Sequence, residues 1–443
     1  MKKWSKSKQG KRLLLFRIRR FLTWLPRKIR DFILQKFVLY NYFDDLDNRI
    51  RINESKFENS PRKTALRMIW WNFKSLFKVH RRTVVPGLRN GGKDILSLDE
   101  AYLNVGISYA GGGLGDSLIM ANYLDNFNKK FNCPGMRIDV FFPEGYKLAT
   151  AVVEPGVNCD RLFLGMDDAA DCYDLFIVFH RYPKIRVSKR ERIEKFQPKL
   201  IEYIKMCEQF YSEHTLWFEE SPYHDGDTAK MCVAEGKIRL QQADIAGMLG
   251  IERSFSLPMF IHQDEELFLD SVGLSGKKFI TLHRGSGEQS SNHVVKLWPL
   301  EHYNALVRMI KEEYPDYVIV QVGVSKNRCP AMRGIDLSLV GKTTMEDMKV
   351  LLRHAVTHID GEGGFVHLRQ ALHAGPSVVL FGPTDMEFFG YSDNINIRGN
   401  GCSVPCEWKT KNWLDHCMKG FDIPPCMASI KPEQVMEGLR SIL

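Results

Sequence analysis

Phe279-Ile280-Thr281-Leu282-His283, then Arg284-Gly285-Ser286-Gly287, then Lys296-Leu297-Trp298-Pro299: this stretch decides the fold. A short apolar run reads as a buried strand, small residues supply the turn, and Pro299 opens a helix expected over Leu300–Glu313. The unit then repeats. Strands are expected at Tyr317–Val322, Val356–Ile359 and Ser377–Phe381, separated by helices at Met345–His354 and Val366–His373. Upstream, Leu103, Val105, Ile107 and Tyr109 alternate as a half-buried strand, ahead of a glycine run and a helix expected over Ser117–Lys130. Ile138–Phe142, Arg161–Leu164 and Leu175–Phe179 are further short strands. Two successive strand–helix series predict an α/β chain with two Rossmann-like domains, 99–255 and 256–443, behind a basic helical extension of residues 1–98. The polar stretch Glu252–Ser275, containing Pro258, reads as the connection between them. Ligands of such sheets sit outside the carboxyl ends of the strands, so the cleft between the domains is the expected site.

Composition narrows the function classes. The chain has 443 residues, 44% hydrophobic and 26% charged, which excludes a disordered or collagen-like protein. No uncharged apolar run approaches the roughly 18 residues of a spanning helix. The whole chain is +9, but residues 1–36 hold thirteen Lys or Arg against Asp31 alone, a local +12. The remaining 407 residues therefore sum to −3, which argues against nucleic acid as the partner of the body. Leu14, Ile18, Phe21, Leu22 and Leu25 recur at helical spacing among the N-terminal basic residues. Such a helix suits an anionic membrane surface, so residues 1–40 are expected to attach there; a solvated helix or a transit peptide is the plainer alternative. Ten scattered cysteines and a hydrophobic segment broken by Arg17, Arg19 and Arg20 favour a reducing cytoplasm over secretion.

Three loops carry candidate chemistry. Gly111-Gly112-Gly113-Leu114-Gly115-Asp116-Ser117 joins the first strand to its helix. It lacks the dinucleotide fingerprint, because Asp116 stands where the last glycine should be, and an acid there would repel a pyrophosphate. Asp and Ser are ordinary helix caps, yet Gly112, Gly113 and Gly115 also let a ligand approach the backbone beside a carboxylate. Asp116 is therefore the candidate general base. Arg284 and Lys296 flank the loop after Phe279–His283 as a phosphate cradle. Asp360-Gly361-Glu362-Gly363-Gly364-Phe365-Val366-His367 places glycines, and then His367, at a helix N-terminus suited to an anion. Gly341-Lys342-Thr343 mimics the end of a Walker A loop, but Asp336 occupies the earlier glycine position and the ATPase reading fails.

A G-L-G-D loop, an H-x-G-S loop with a W-P helix start, a G-G-x-x-H-L-x-x-A-L helix and an F-G-P-T strand end occur in that order, followed by Cys426-Met427 and Pro432-Glu433. Together they resemble glycosyltransferase family 9, the heptosyltransferases of lipopolysaccharide core assembly. The resemblance spans roughly residues 102–443. It implies a GT-B fold and an inverting transfer of a sugar, a heptose among the candidates, from a nucleotide-diphosphate donor (ADP-linked or other) to a lipopolysaccharide or other surface-glycan acceptor, free or lipid-linked. It makes Asp116 the base for the acceptor hydroxyl. Ser286, Lys296, Gly363, Gly364 and His367 match positions that hold the diphosphate, with Arg284 beside them, and Thr343, Thr344 and Met345 match a loop near the nucleoside. No catalytic metal is implied, because cationic side chains and helix N-termini serve the leaving diphosphate. This sequence departs from the family in having Glu362 where Asp is usual and Asn327 where a ribose-binding Glu is expected, and in its long N-terminal extension. The implied setting is bacterial cell-envelope synthesis, cytoplasmic and peripheral on the inner membrane.

Cys402, Cys406, Cys417 and Cys426, spaced C-x3-C-x10-C-x8-C, are candidate ligands for a structural zinc or iron. Two other function classes compete: a Rossmann-type nucleotide-binding oxidoreductase, disfavoured by the missing G-x-G-x-x-G, and a non-enzymatic membrane or nucleic-acid binder built on the basic segment.

Overall fold

A computed structural model describes residues 98–109, 113–142, 159–164, 172–179, 183–213, 250–251, 257–284, 294–324, 329–403, 405–406 and 414–443. The expectations for residues 1–97, including the membrane-surface helix, and for Gly112, Ser286 and Asn327 lie outside these.

The first sheet is ordered β3-β2-β1-β4-β5. Its strands are β1 (Leu103–Tyr109), β2 (Met136–Phe142), β3 (Arg161–Leu164), β4 (Leu175–Phe179) and β5 (Pro183–Val187). Only β5 runs antiparallel, at one edge. Helix α1 (Leu114–Phe131) follows β1, while α2 (Arg190–Phe196) and α3 (Pro198–Glu213) follow β5. The alternation in β1 is real, but the strand is not half-buried: Leu103, Val105 and Ile107 face one core while Asn104 and Ser108 are buried on the other face. The second face is covered by Phe141, Tyr173 and Phe176, and Gly106 makes room for them. A Cβ on Gly106 would lie 2.4 Å from Phe176 Cδ2 and 3.1 Å from Tyr173 Cδ2. A buried Tyr173 hydroxyl donates to Asp139 Oδ2 at 2.6 Å, so the aromatic layer also satisfies its polar atoms.

The second sheet is wholly parallel, ordered β11-β10-β9-β6-β7-β8. It comprises β6 (Phe279–His283), β7 (Val318–Val322), β8 (Leu337–Ser338), β9 (Thr357–Gly361), β10 (Val378–Phe381) and β11 (Ile395–Arg398). A parallel sheet must be covered on both faces, and the continuous burial of β6, β9 and β10 shows it. Its helices are α4 (Glu265–Ser271), α5 (Leu300–Glu313), α6 (Met345–His354), α7 (Gly364–Ala371), α8 (Met386–Phe389), α9 (Pro425–Ala428) and α10 (Pro432–Arg440). The stretch expected as a plain connection thus contains α4. Asp264 caps it, and Glu265 reaches α6 by bonds of 2.9 Å from Arg353 and 2.7 Å with His354.

Two α/β units joined so that α1 of one abuts α7 of the other make the GT-B architecture. Between α6 and β9 the chain is fixed by Arg369, fully buried, which donates to the carbonyls of Leu352, Ala355 (3.1 Å) and Val356 (3.0 Å). These are orphan carbonyls at a helix end, so one guanidinium sets where β9, and the loop beyond it, begins. Among the described residues no helix is long and apolar enough to cross a membrane.

Gly106→Val should destabilise the first unit by about 1–3 kcal/mol, because its branched side chain overpacks against Phe176 and Tyr173. Urea unfolding measures this, and an unchanged midpoint would show that the aromatic layer can yield.

Candidate active site

The site forms where two helix N-termini meet. Gly113 is the extended N-cap of α1, and Gly363, also extended, is the N-cap of α7. A Cβ on Gly115 would fall 2.4 Å from His367 Cδ2 and 3.1 Å from Nε2. A Cβ on Gly364 would fall 3.1 Å from Leu114 Cβ and 3.5 Å from the Gly115 nitrogen. Gly115 and Gly364, one from each motif, are therefore demanded by the close approach of one helix to the other.

Asp116, on the first turn of α1, accepts from the Gly113 backbone N–H through Oδ2 at 3.2 Å, so its carboxylate does cap the helix. Across the contact, Lys296 ends a short 3₁₀ turn, Val294–Lys296, and its Nζ lies 2.5 Å from Glu362 Oε2. Glu362 Oε1 is 3.9 Å from His367 Nε2, and His367 Nδ1 is 2.6 Å from the Tyr391 hydroxyl. The structure brings together Gly115, Lys296, Glu362, Gly363, Gly364 and His367, with Asp116 one residue along. Tyr391 has no sequence signal beyond being aromatic; it joins the group from the segment between α8 and β11.

Beneath this layer is a buried relay. His283 Nδ1 bonds Asp360 Oδ2 at 2.8 Å, His358 Nε2 stands 3.5 Å from the same oxygen, and His358 Nδ1 bonds Thr281 Oγ1 at 2.9 Å. Burial pushes the Asp360 carboxyl up, but the two imidazoles, His283 first, outweigh it and hold the group below the usual range. Burial pushes His358 down. The strand end is pinned further by the Tyr303 hydroxyl, which donates to the His283 carbonyl at 2.9 Å. Arg284 Nε donates to the Trp298 carbonyl at 3.0 Å, and buried Trp298 donates from Nε1 to Ile430 O at 3.0 Å. The W-P motif is thus the anchor that fixes the Lys296 turn.

The expected nucleoside loop sits beside the carboxyl end of β7, where Gly341 N donates to Gly323 O at 2.8 Å. Thr344 caps α6, accepting from Asp347 N at 3.2 Å, and Met345 packs on the core. Thr343 precedes that cap.

The four C-terminal cysteines converge on one cavity of about 30 Å³, lined also by Val295, Gly382 and Lys419. The Cys402 thiol is pulled down to about 6, chiefly by a hydrogen bond with Cys426 and by the Lys419 ammonium, against its burial. The same bond and burial push Cys426 far up, with Cys406 and Cys417 contributing by charge. Soft thiolate donors in that number suit zinc or iron, although no three His, Cys, Asp or Glu side chains among the described residues stand at metal-holding distances.

Residues 229–416 match the model of glycosyltransferase family 9 (heptosyltransferase). No curated protein matches the sequence significantly. Similar solved structures include an E. coli ADP-heptose lipopolysaccharide heptosyltransferase II at 14% identity and TM-score 0.46, covering 76% of this chain and 98% of that one. A family 9 glycosyltransferase from Veillonella parvula aligns at 15% and 0.45, covering 78% and 98%. The iron-containing dodecameric glycosyltransferase TibC of enterotoxigenic E. coli aligns at 14% and 0.47, covering 78% and 80%. Over residues 229–416, less than half of its length, the chain is similar to the glycosyltransferases of family 9. That likeness favours a glycosyltransferase over the oxidoreductase and non-enzymatic alternatives.

Gly115→Ala should leave thermal stability nearly unchanged, the helix gain of about 1 kcal/mol offsetting the cost of displacing His367. It should nonetheless lower glycosyl transfer by about tenfold, the loss expected when His367 is forced off its Tyr391 bond. Full activity in steady-state assays would show that the two helices can separate.

Proposed function

We propose that the cleft between α1 and α7 transfers a sugar from a nucleotide-diphosphate donor to a surface-glycan acceptor with inversion. The observation that carries this reading is the apposition of the α1 N-terminus, whose first turn bears Asp116, to the α7 N-terminus with Gly364 and His367. The family 9 match supports it, and ADP-heptose bound to TibC makes that donor the first to test. Asp116 takes the proton of the acceptor hydroxyl while that oxygen bonds to the anomeric carbon. The bond from that carbon to the donor phosphate breaks, and its electron pair stays on the diphosphate. Lys296, the α7 N-terminus and His367 stabilise the developing charge, an effect strongest in a site with little water.

Two helix ends have excess backbone N–H groups and positive dipole ends, which suits a diphosphate lying across them. A thermal-shift screen with ADP-, GDP-, UDP- and CMP-sugars identifies the donor, because bound ligand raises apparent stability by mass action. With that donor, Asp116→Asn should lower turnover by roughly two to four orders of magnitude with little change in donor affinity. Lys296→Ala should do the opposite, weakening donor binding by about tenfold or more for a lost charge-assisted contact. Near-normal turnover in Asp116→Asn would reduce that carboxylate to its capping role.

The cysteine cavity is proposed as a structural zinc or iron site in which Cys402, Cys406, Cys417 and Cys426 would supply four thiolates. It borders Val295 and Gly382, so it would brace the turn bearing Lys296. Elemental analysis of the purified full chain should find about one metal per chain, lost in Cys402→Ser together with Cys406→Ser. Equal metal content in wild type and variant would remove the cluster from this role.

A further inference from the structure

Tyr391 is absent from the motifs, yet its hydroxyl is 2.6 Å from Nδ1 of His367, the imidazole at the centre of the helix contact. The backbone of Tyr391 is firmly held: its carbonyl accepts from Asn394 N at 3.1 Å and from Asn396 Nδ2 at 2.8 Å, the latter on β11. Gly390 permits this approach, because a Cβ there would lie 2.6 Å from Met386 O and 3.0 Å from Asn396 Nδ2. The ring meets His367 edge-on, 5.4 Å between centroids at 80°, and both side chains are buried.

The direction of the proton follows from both edges of the imidazole. Nε2 faces the α1 N-terminus, where a Cβ on Gly115 would come within 3.1 Å of it, and Glu362 Oε1 lies 3.9 Å away. At 3.9 Å, beyond a hydrogen bond, the carboxylate only biases the proton toward Nε2; the tyrosine O–H, donating to Nδ1 at 2.6 Å, is what holds it there. A ring so arranged turns an N–H toward the cleft, where an anionic oxygen can accept it. The opposite tautomer would present a lone pair there and repel the same oxygen.

We infer that Tyr391 is a positioning residue that fixes His367 in the Nε2–H tautomer and so makes it a hydrogen-bond donor to the donor diphosphate. This rests on the reading of His367 as a diphosphate ligand. The test takes the full-length protein labelled with ¹⁵N-histidine and records long-range ¹H–¹⁵N correlations, with His367 assigned by its loss in His367→Gln. The expected wild-type spectrum shows His367 with the proton on Nε2, and Tyr391→Phe, which keeps the ring and deletes the hydroxyl, shows a mixture of tautomers. Calorimetry with ADP, GDP and UDP follows on the same proteins. Tyr391→Phe should weaken the tightest of the three several-fold, and His367→Gln by about tenfold, as expected for one lost charge-assisted bond. An Nδ1–H tautomer in the wild type, or an unchanged spectrum in Tyr391→Phe, overturns the inference. A tautomer set by Tyr391 together with unaltered nucleotide affinity in His367→Gln overturns instead the diphosphate reading on which it rests. Matching near-ultraviolet circular dichroism of the variants and wild type keeps a folding defect out of the comparison.

Discussion

Two helices brought end to end at their N-termini set the terms for everything around them. Each end carries roughly half a positive charge and a set of unsatisfied N–H groups, so bringing them together is unfavourable unless negative charge is nearby. Asp116 lies on the first turn of α1, and Glu362 immediately precedes the N-cap of α7. Both carboxylates thus stand where the two dipoles would otherwise oppose each other. The approach is close enough that a methyl group on Gly115 would strike His367 and one on Gly364 would crowd Leu114. Sterics and charge therefore select the same short motifs, and a diphosphate would find there what an anion needs.

The second unit is built to hold its half of that contact still. Arg369 closes the end of α6 on the carbonyls leading into β9, and the His283–Asp360–His358 cluster ties the carboxyl ends of β6 and β9 together inside the sheet. Trp298, through Ile430, fastens the Lys296 turn to the segment that precedes α10. None of these groups needs to touch a substrate. They convert a loop, ordinarily the variable part of an α/β unit, into a support for charged side chains.

Much of this was legible from patterning. The strand Phe279–His283 and the helices Leu300–Glu313 and Met345–His354 fall where apolar periodicity places them, because each has one clear core face. Helix α7 begins two residues earlier than its apolar pattern, at the glycine demanded by the interdomain contact. The second buried face of β1 was hidden, since Asn104, Gly106 and Ser108 look solvent-facing until Phe141, Tyr173 and Phe176 cover them. Thr344, expected near the nucleoside, also caps α6 together with Asp347. Pairings across the chain left no local trace. Lys296 and Glu362 are 66 residues apart, and His367 and Tyr391 are 24 apart in different elements.

The Lys296–Glu362 pair explains how a lysine can be largely buried at this site. Their side chains are only 13% and 10% exposed, and removing an isolated charge from water that far would cost several kcal/mol. Glu362, one methylene longer than the aspartate usual in the family, reaches Lys296 at 2.5 Å while keeping its second oxygen 3.9 Å from His367. The carboxylate thereby holds the lysine side chain in one place. Under the proposed function, a diphosphate would meet there a cation already desolvated, but would share it with a fixed carboxylate. Under the proposed transfer, the net attraction would consequently depend on the helix ends and on an N–H from His367, more than on Lys296 alone. A site arranged this way discriminates by geometry: an anion that reaches the lysine without spanning both helix ends gains little over the carboxylate already there.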